Sequence, residues 1–487
     1  MLLLTAVGVL LALMDAFLPK RRESILGWVA GLGALVTLAL DWGGAVSSPW
    51  NGILVFDGFT RAFDTVFLLS LAVVCVGSAG REERMAFAGE YYALLLFSTV
   101  GLMLMAASGG LITLYLGIEI STVCLFALAG FSKRERRSAE SSLKFFVVGA
   151  VASAVILYGA SLVYGAVMSI PGATSGTQFS AIATALATGG GLSTVLWIGV
   201  AFVAGGIAFK IAAAPFHLWA PDVYQGAPTT VTAYLSTASK AGGFAALLRF
   251  LFAALEPASG HWIPVVAVLA VLSMVIGNLV AISQTNLKRL LAYSGIAQAG
   301  YILVAVSAGP HSALATGAIV MYLVLYAFTN AGGFLLVQAV EDATGSDDVT
   351  ALRGLHKRNG LLAAAMLIFL FSLGGIPPLA GFVGKLYLFA AGWGGGQYAL
   401  VLVGAVTSVI ALYYYLMVAL QVYIRDPADD RRMSLSAPLA TAIAVCAAAT
   451  LLIGVYPRPW VELGAKASTN PVMASAAPTR PLVTARR

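Results

Sequence analysis

Charge is scarce in this sequence. Only 10% of its 487 residues are Asp, Glu, Lys or Arg, while 60% are hydrophobic; a soluble globular chain is nearer a quarter charged and about half apolar. No G-x-G-x-x-G follows a strand-like run and no Walker-type loop occurs, so nucleotide binding has no sequence basis. The glycine run Gly392-Trp393-Gly394-Gly395-Gly396 falls in a connecting loop. Cys75, Cys124 and Cys446 each stand alone inside an apolar run. Without CxxC or Cys/His spacing they read as packed small hydrophobes, which leaves no metal or iron–sulfur site. The first apolar run, 1–18, has no basic region ahead of it, and Lys20-Arg21-Arg22 follow it. That order describes a retained first span rather than a cleaved signal.

What is present is a series of apolar runs of roughly 17–25 residues, the length a helix needs to cross about 30 Å of hydrocarbon. Backbone amides in lipid must pair within the chain, so the sequence predicts an all-α, polytopic membrane protein. Fourteen spans are expected, at 1–18, 24–42, 58–79, 89–107, 109–131, 141–167, 192–214, 229–255, 262–282, 290–308, 311–340, 360–393, 398–424 and 436–456. The seventh runs into Ala214-Pro215, and the twelfth is interrupted by Gly374-Gly375-Ile376-Pro377-Pro378, so helices 7 and 12 should be discontinuous.

The loop charges give the orientation. Placing the N-terminus outside puts Lys20, Arg21, Arg22, Arg81, Arg84, Lys133, Arg134, Arg136, Arg137, Lys288, Arg289, Arg353, Lys357, Arg358, Arg425, Arg431 and Arg432 in inside loops. Outside there is Arg61 at a helix edge and an exposed C-terminal tail. This asymmetry predicts that both termini lie on the outer side of the membrane. The two broken spans are five apart, as they would be if spans 4–8 and 9–13 were repeats, and paired broken helices mark transport pathways. The expected organisation is an N-terminal three-helix segment (1–88), a first repeat (89–255), a second repeat (262–424), and a final helix with an outside tail (425–487).

Inside the spans a short set of charges remains: Glu119, Glu140, Lys144, Lys210, Lys240, Arg249 and Lys385. An unpaired charge at mid-bilayer costs at least about 2.5–3.5 kcal/mol on insertion scales, so such residues usually face the bundle interior and carry function. Glu119 is in the middle of its span, and Lys240 lies too deep in span 8 to snorkel easily. Lys385 follows the Pro377-Pro378 break by two turns. Lys210, five residues before Pro215, is open both to burial and to snorkelling. Glu140 and Lys144 are four apart and share a helix face; a stabilising pair and a role in proton uptake are equally open. Arg249, near the outer end of span 8, is expected to snorkel. His217, close to Asp222 in sequence, is either a member of a proton path or a helix-end hydrogen bonder, whereas His261, His311 and His356 look like loop or edge residues. Asp15 and Asp64 are weak candidates near helix ends.

One acid and three lysines spread over spans 5, 7, 8 and 12 suit proton transfer. Burial disfavours the charged form of an amine and a nearby carboxylate favours it. An amine poised between those limits takes up and releases a proton as its partner approaches or withdraws, with broken helices supplying free backbone groups and room for water.

The stretch from Ile207 to Thr229 (IAFKIAAAPFHLWAPDVYQGAPT) closely resembles the signature of the subunit N family of bacterial NADH–quinone oxidoreductase, respiratory complex I. Leu111–Glu119 (LITLYLGIE), Ser142–Gly149 (SLKFFVVG), Leu287–Tyr301 (LKRLLAYSGIAQAGY) and Gly374–Lys385 (GGIPPLAGFVGK) are similar to that family in order and spacing. The resemblance covers about 90–425. It implies an antiporter-like fold with two inverted five-helix repeats, set in the membrane arm of the complex beside other antiporter-like subunits in the bacterial inner membrane. Glu119, Lys210, Lys240 and Lys385 fall on its proton-transfer positions, and Glu140 and Lys144 also match. It further implies no cofactor in this chain, with FMN, iron–sulfur clusters and quinone on partner subunits. Ala238-Ser239 before Lys240 is a mild departure, more polar than the family pattern. Two other readings compete: a subunit of a multisubunit sodium–proton antiporter of the same fold, and a scaffold that moves no protons.

Overall fold

The structure, a computed structural model, describes residues 1–15, 17, 24–80, 87–188, 193–309, 312–427 and 432–468. Lys20, Arg21, Arg22, Arg81, Arg84, Arg431, His311 and the tail 469–487 lie outside the described residues. Every one of the fourteen apolar runs carries helix. Ten helices among the described residues are long and apolar enough to cross a membrane by themselves, and Leu2–Asp15, Thr194–Lys210 and Gly360–Gly374 are shorter apolar helices. The chain is a multi-pass helical membrane protein.

Both expected breaks are present. Thr194–Lys210 stops at Lys210, and a second helix, Trp219–Gly226, follows. The backbone groups freed between them find partners: Trp219 Nε1 donates to the Phe209 carbonyl at 2.9 Å, and Ala214 N–H to Ser273 Oγ at 2.9 Å. Gly360–Gly374 likewise gives way to Ala380–Gly394, with Gly375 at φ +85°, a conformation only glycine adopts without strain. Each break contains a cis proline bond, Ala214–Pro215 and Pro377–Pro378.

The eighth apolar run differs from a plain helix. It proceeds as Thr229–Tyr234, a π segment Leu235–Ser239, Lys240–Leu248 and a second π segment Arg249–Ala254. π segments loosen the backbone ladder and occur frequently at functional sites. Lys240 starts the stretch between the two.

Thr229–Ala254, Leu287–Ala308 and Ala315–Thr344 form the core, buried over nearly their whole length. Arg136–Met168 lies at the rim with large apolar side chains exposed. Small residues let helices approach closely there: a Cβ on Gly159 would stand 2.8 Å from the Gly199 carbonyl, and one on Gly199 2.8 Å from that of Gly159. This contact presses the helix bearing Lys210 onto Arg136–Met168 without a side chain between them.

Two elements depart from expectation. Phe179–Ala187 is an additional helix in a loop. The region beyond the last span is not simply an exposed tail: Arg458–Ser468 is a helix whose Leu463 and Ala467 are buried, with Trp460 against Phe328. Its alternation of apolar and charged residues is too short to register as a span, so hydropathy alone passes over it.

Candidate functional site

Glu119 sits on a half-exposed face of Leu111–Ala129 and accepts a hydrogen bond from the Ser153 hydroxyl of Arg136–Met168. One turn on, Thr122 Oγ1 accepts from Lys210 Nζ at 3.1 Å. Acid and amine are thus each bonded to a hydroxyl rather than to one another. Lys210 ends its helix, where unpaired carbonyls favour a cation. It does not snorkel. Its Nζ points into a cavity of about 20 Å³ lined by Thr122, Ser153, Trp219 and Ser239, large enough for about one water. Ser239, the polar residue that departs from the family pattern, lines this cavity, and Lys240 follows it in the chain.

Lys240 is 2% exposed and has no carboxylate partner among the described residues. Its Nζ donates to the Gly295 carbonyl of Leu287–Ala308 and stands 5.8 Å from the centre of the Tyr326 ring. A Cβ at Gly295 would lie 3.0 Å from that Nζ and 3.0 Å from the Tyr326 hydroxyl, so a side chain there would crowd the amine. A lysine of the eighth apolar run thus reaches into helices of the second half of the chain.

Lys385 is 4% exposed. Its Nζ donates to the Leu373 carbonyl at 2.9 Å and the Gly374 carbonyl at 3.3 Å, and lies 4.7 Å from the Tyr301 ring centre. In an unbroken helix these carbonyls would accept from residues 377 and 378. Both are proline and carry no N–H. The Pro377-Pro378 pair therefore does more than break the helix; it frees the two acceptors that hold Lys385.

A line of hydrogen-bonded polar groups runs from Ser294, next to the residue that holds Lys240, to Lys385. Beside Gly295, Ser294 Oγ meets Tyr415 Oη at 2.5 Å. Gln298 Nε2 donates to Tyr415 Oη at 3.4 Å and to the Leu373 carbonyl at 3.2 Å, the same oxygen that Lys385 uses. Gln298 Oε1 accepts from the Tyr322 hydroxyl, and the Tyr322 and Tyr326 rings stack at 6.3 Å. The buried Tyr326 hydroxyl lies beside the Asn330 amide, and among the described residues neither group makes a well-formed hydrogen bond. Groups of this kind are normally satisfied by ordered water.

A cluster of surface charge stands at one end of the bundle. Lys144 pairs with Glu140 at 2.8 Å and with Asp222 at 3.2 Å, and Asp222 with Arg289 at 2.6 Å. The Glu140–Lys144 pair expected from spacing is formed, and it is solvent-exposed. His217 and Asp222 are not brought together: Asp222 is taken by the two cations, while buried His217 leaves Nδ1 unpartnered and sits edge-on to Tyr293. Alongside lies a polar vestibule of about 610 Å³, with Lys288, Glu341 and Asp347 in its wall.

Two charges lie elsewhere than their sequence positions suggest. Lys288, counted as a loop cation, is 4% exposed and donates to Glu341 at 3.1 Å and Thr229 at 3.1 Å. Arg249 does not snorkel. It is 1% exposed and pairs with Asp57 at 2.8 Å, because a guanidinium with an acid at hand is satisfied internally. Asp57 escaped notice because it caps Gly58–Ser78 from just outside the apolar run. Asp64, a weak candidate near a helix end, is fully buried with neither oxygen bonded. Gln298 and Asn330 stand as amides inside apolar runs, but their spacing alone does not reveal a common line.

Comparison with known proteins places this arrangement. The family described as NADH:quinone oxidoreductase/Mrp antiporter, transmembrane, matches residues 108–411. NADH-quinone oxidoreductase subunit N of Moorella thermoacetica is 42% identical over 462 residues, covering 94% of this chain and 95% of that one. A chain of respiratory complex I from Thermus thermophilus superposes with a TM-score of 0.78 at 32% identity, over 95% of this chain and 99% of that one. A chain of the Mrp complex from Dietzia sp. gives 0.81 at 23% identity, over 98% and 96%, a likeness of fold alone.

Proposed function

The chain belongs to the NADH:quinone oxidoreductase/Mrp antiporter family, and from that premise we propose that it is a membrane-arm subunit of an NADH–quinone oxidoreductase, moving protons from Glu119 through Lys210 and Lys240 to Lys385. The observation that supports the proton-transfer reading is the shared Leu373 carbonyl, where a hydrogen-bonded file from Ser294 through Tyr415 and Gln298 meets Lys385 inside an apolar core. Glu140, Lys144 and His217 would serve proton uptake at the charged end. Electron transfer from NADH to quinone takes place on partner subunits that carry FMN and the iron–sulfur clusters; this chain converts it into movement of its buried charges.

The chemistry required of these residues is limited. Each lysine alternates between ammonium and amine, and hydroxyls, amides and water pass the proton between them. Lys240 and Lys385 are bonded to carbonyls, which accept from either form, so losing a proton does not release the side chain. Lys210, bonded to Thr122 with room for water beside it, is the point where Glu119 exerts its charge.

The same reading takes the fold as fourteen crossings, with 89–255 and 262–424 as inverted repeats, 1–88 as a lateral three-helix segment and 425–487 as the final crossing and its extension. Both termini lie on the outer side of a bacterial cytoplasmic membrane, and the neighbours are other membrane-arm subunits.

The likeness to the Mrp chain keeps one alternative in play, a subunit of a sodium–proton antiporter. Purifying the tagged chain with its natural partners separates them. The proposal requires an assembly that contains flavin and reduces quinone with NADH; sodium-driven proton exchange in an assembly with no NADH oxidation would replace it with the antiporter.

A further inference from the structure

At the end of the bundle opposite the vestibule, a cavity of about 430 Å³ opens among Ser47, Gly52, Ser108 and Phe179, and Asp57 and Arg249 form part of its wall. Both are fully buried side chains, 0% and 2% exposed. The guanidinium is held from three sides. Nη1 and Nη2 clasp the two oxygens of Asp57 at 3.1 and 2.8 Å, Nη2 also donates to Thr60 Oγ1 at 2.9 Å, and Nε donates to the Ala106 carbonyl at 2.8 Å. The Phe59 ring lies 4.3 Å from the guanidinium carbon. Asp57 is equally committed: it accepts from the Thr60 amide at 2.9 Å as the cap of Gly58–Ser78.

Two further titratable groups stand behind this pair. Lys240 precedes Arg249 by nine residues on the same helical stretch, about 13 Å at 1.5 Å per residue. Asp64 follows Asp57 by seven, on the same face of Gly58–Ser78 and two turns deeper, fully buried with both oxygens unpartnered. With water between them, Asp57 and Asp64 would be the first two stations of a return route for protons from the cavity into the core. It is interrupted at its first member. A guanidinium keeps its protons at any physiological pH and cannot relay one, and the Asp57 oxygens it occupies are not free to accept one. Fixed arginines act as proton barriers in membrane pores for the same reason.

We propose that the Arg249–Asp57 pair is a proton seal: a permanent cation locked to its acid that closes the route between this cavity and Lys240. The inference rests on the proton-transfer reading above. It also differs from a purely architectural role, in which the pair only ties Gly58–Ser78 and the Ala106 carbonyl to the eighth apolar run.

The test is passive proton leak, measured on the whole complex in proteoliposomes as decay of an imposed pH difference without NADH. Arg249→Gln with Asp57→Asn removes both charges, strands neither, and keeps the site polar. It should speed the decay well beyond that of the unaltered complex, because the fixed-charge barrier is gone, whereas Asp57→Asn alone, which keeps the cation, should decay like the unaltered complex. Should the double variant fail to assemble, Arg249→Lys takes its place: the compact, titratable amine cannot reproduce the three-sided hold, and decay should again quicken. An assembled complex of either kind with unaltered decay overturns the seal. Because no turnover is involved, that result would leave the proton-transfer reading to stand or fall on pumping by the Lys240 variants.

Discussion

Lys385 Nζ donates to the Leu373 carbonyl at 2.9 Å, across a helix break, and the oxygen is free to receive it because position 377 is a proline. The same oxygen accepts from Gln298 at 3.2 Å. One backbone atom thus joins a buried amine to an amide that leads toward a second buried amine. It does so only because the helix is interrupted there.

Replacing Lys385 by alanine should leave the complex assembled and abolish coupled activity. Leu373 keeps Gln298 as a donor, so the structural cost is limited to about 1–3 kcal/mol for the remaining unsatisfied acceptor. Quinone reduction by NADH in coupled membranes should fall at least about tenfold, in line with the 10²–10⁴ contributed by a positioned proton-transfer group. Assembly is read on native gels; loss of the complex instead would make Lys385 a structural residue.

Gln298→Leu removes the side chain that bonds both Tyr415 and the Leu373 carbonyl. Coupled turnover should fall by about tenfold or more, with Lys240 and Lys385 both still present. Turnover within about twofold of the unaltered complex would show that protons bypass this amide.

Lys210→Arg tests titration separately from charge. Guanidinium stays protonated at physiological pH and is bulkier than an ammonium, and the cavity beside Lys210 measures about 20 Å³. The variant should pump no better than Lys210→Ala. Restoration of pumping by arginine would mean that a fixed positive charge suffices.

Lys288 and Glu341 make an asymmetric prediction about stability. Lys288 is 5% exposed and Glu341 30%. Removing the acid strands a buried ammonium, with Asp347 at 3.8 Å as its nearest remaining acid, whereas removing the lysine leaves partly solvated acids. Glu341→Ala should therefore lower the thermal midpoint of the complex more than Lys288→Met, by an amount equivalent to about 1–3 kcal/mol. Equal shifts would contradict the burial argument.

Much of the fold is legible from sequence because hydrocarbon imposes simple rules: run length gives the helices, and proline and glycine give the two breaks. The buried lysines are legible for the same reason, since a cation in an apolar run is costly and stands out. The connections between them are not. Ser294, Gln298 and Tyr415 are ordinary residues in their own helices, and they acquire meaning only through packing of segments more than a hundred residues apart. Arg249 and Lys288 were misjudged because their acids, Asp57 and Glu341, lie at helix ends on distant segments, and sequence reading pairs only neighbours along one helix.

The most direct test is proton pumping by the purified complex carrying Lys240→Ala, followed as acidification or alkalinisation of proteoliposomes during NADH oxidation. In the proposed path Lys240 stands between Lys210 and the polar line that ends at Lys385. The number of protons moved per NADH should fall in a complex that contains all its subunits. A ratio identical to that of the unaltered complex, with assembly intact, would contradict transfer through this line.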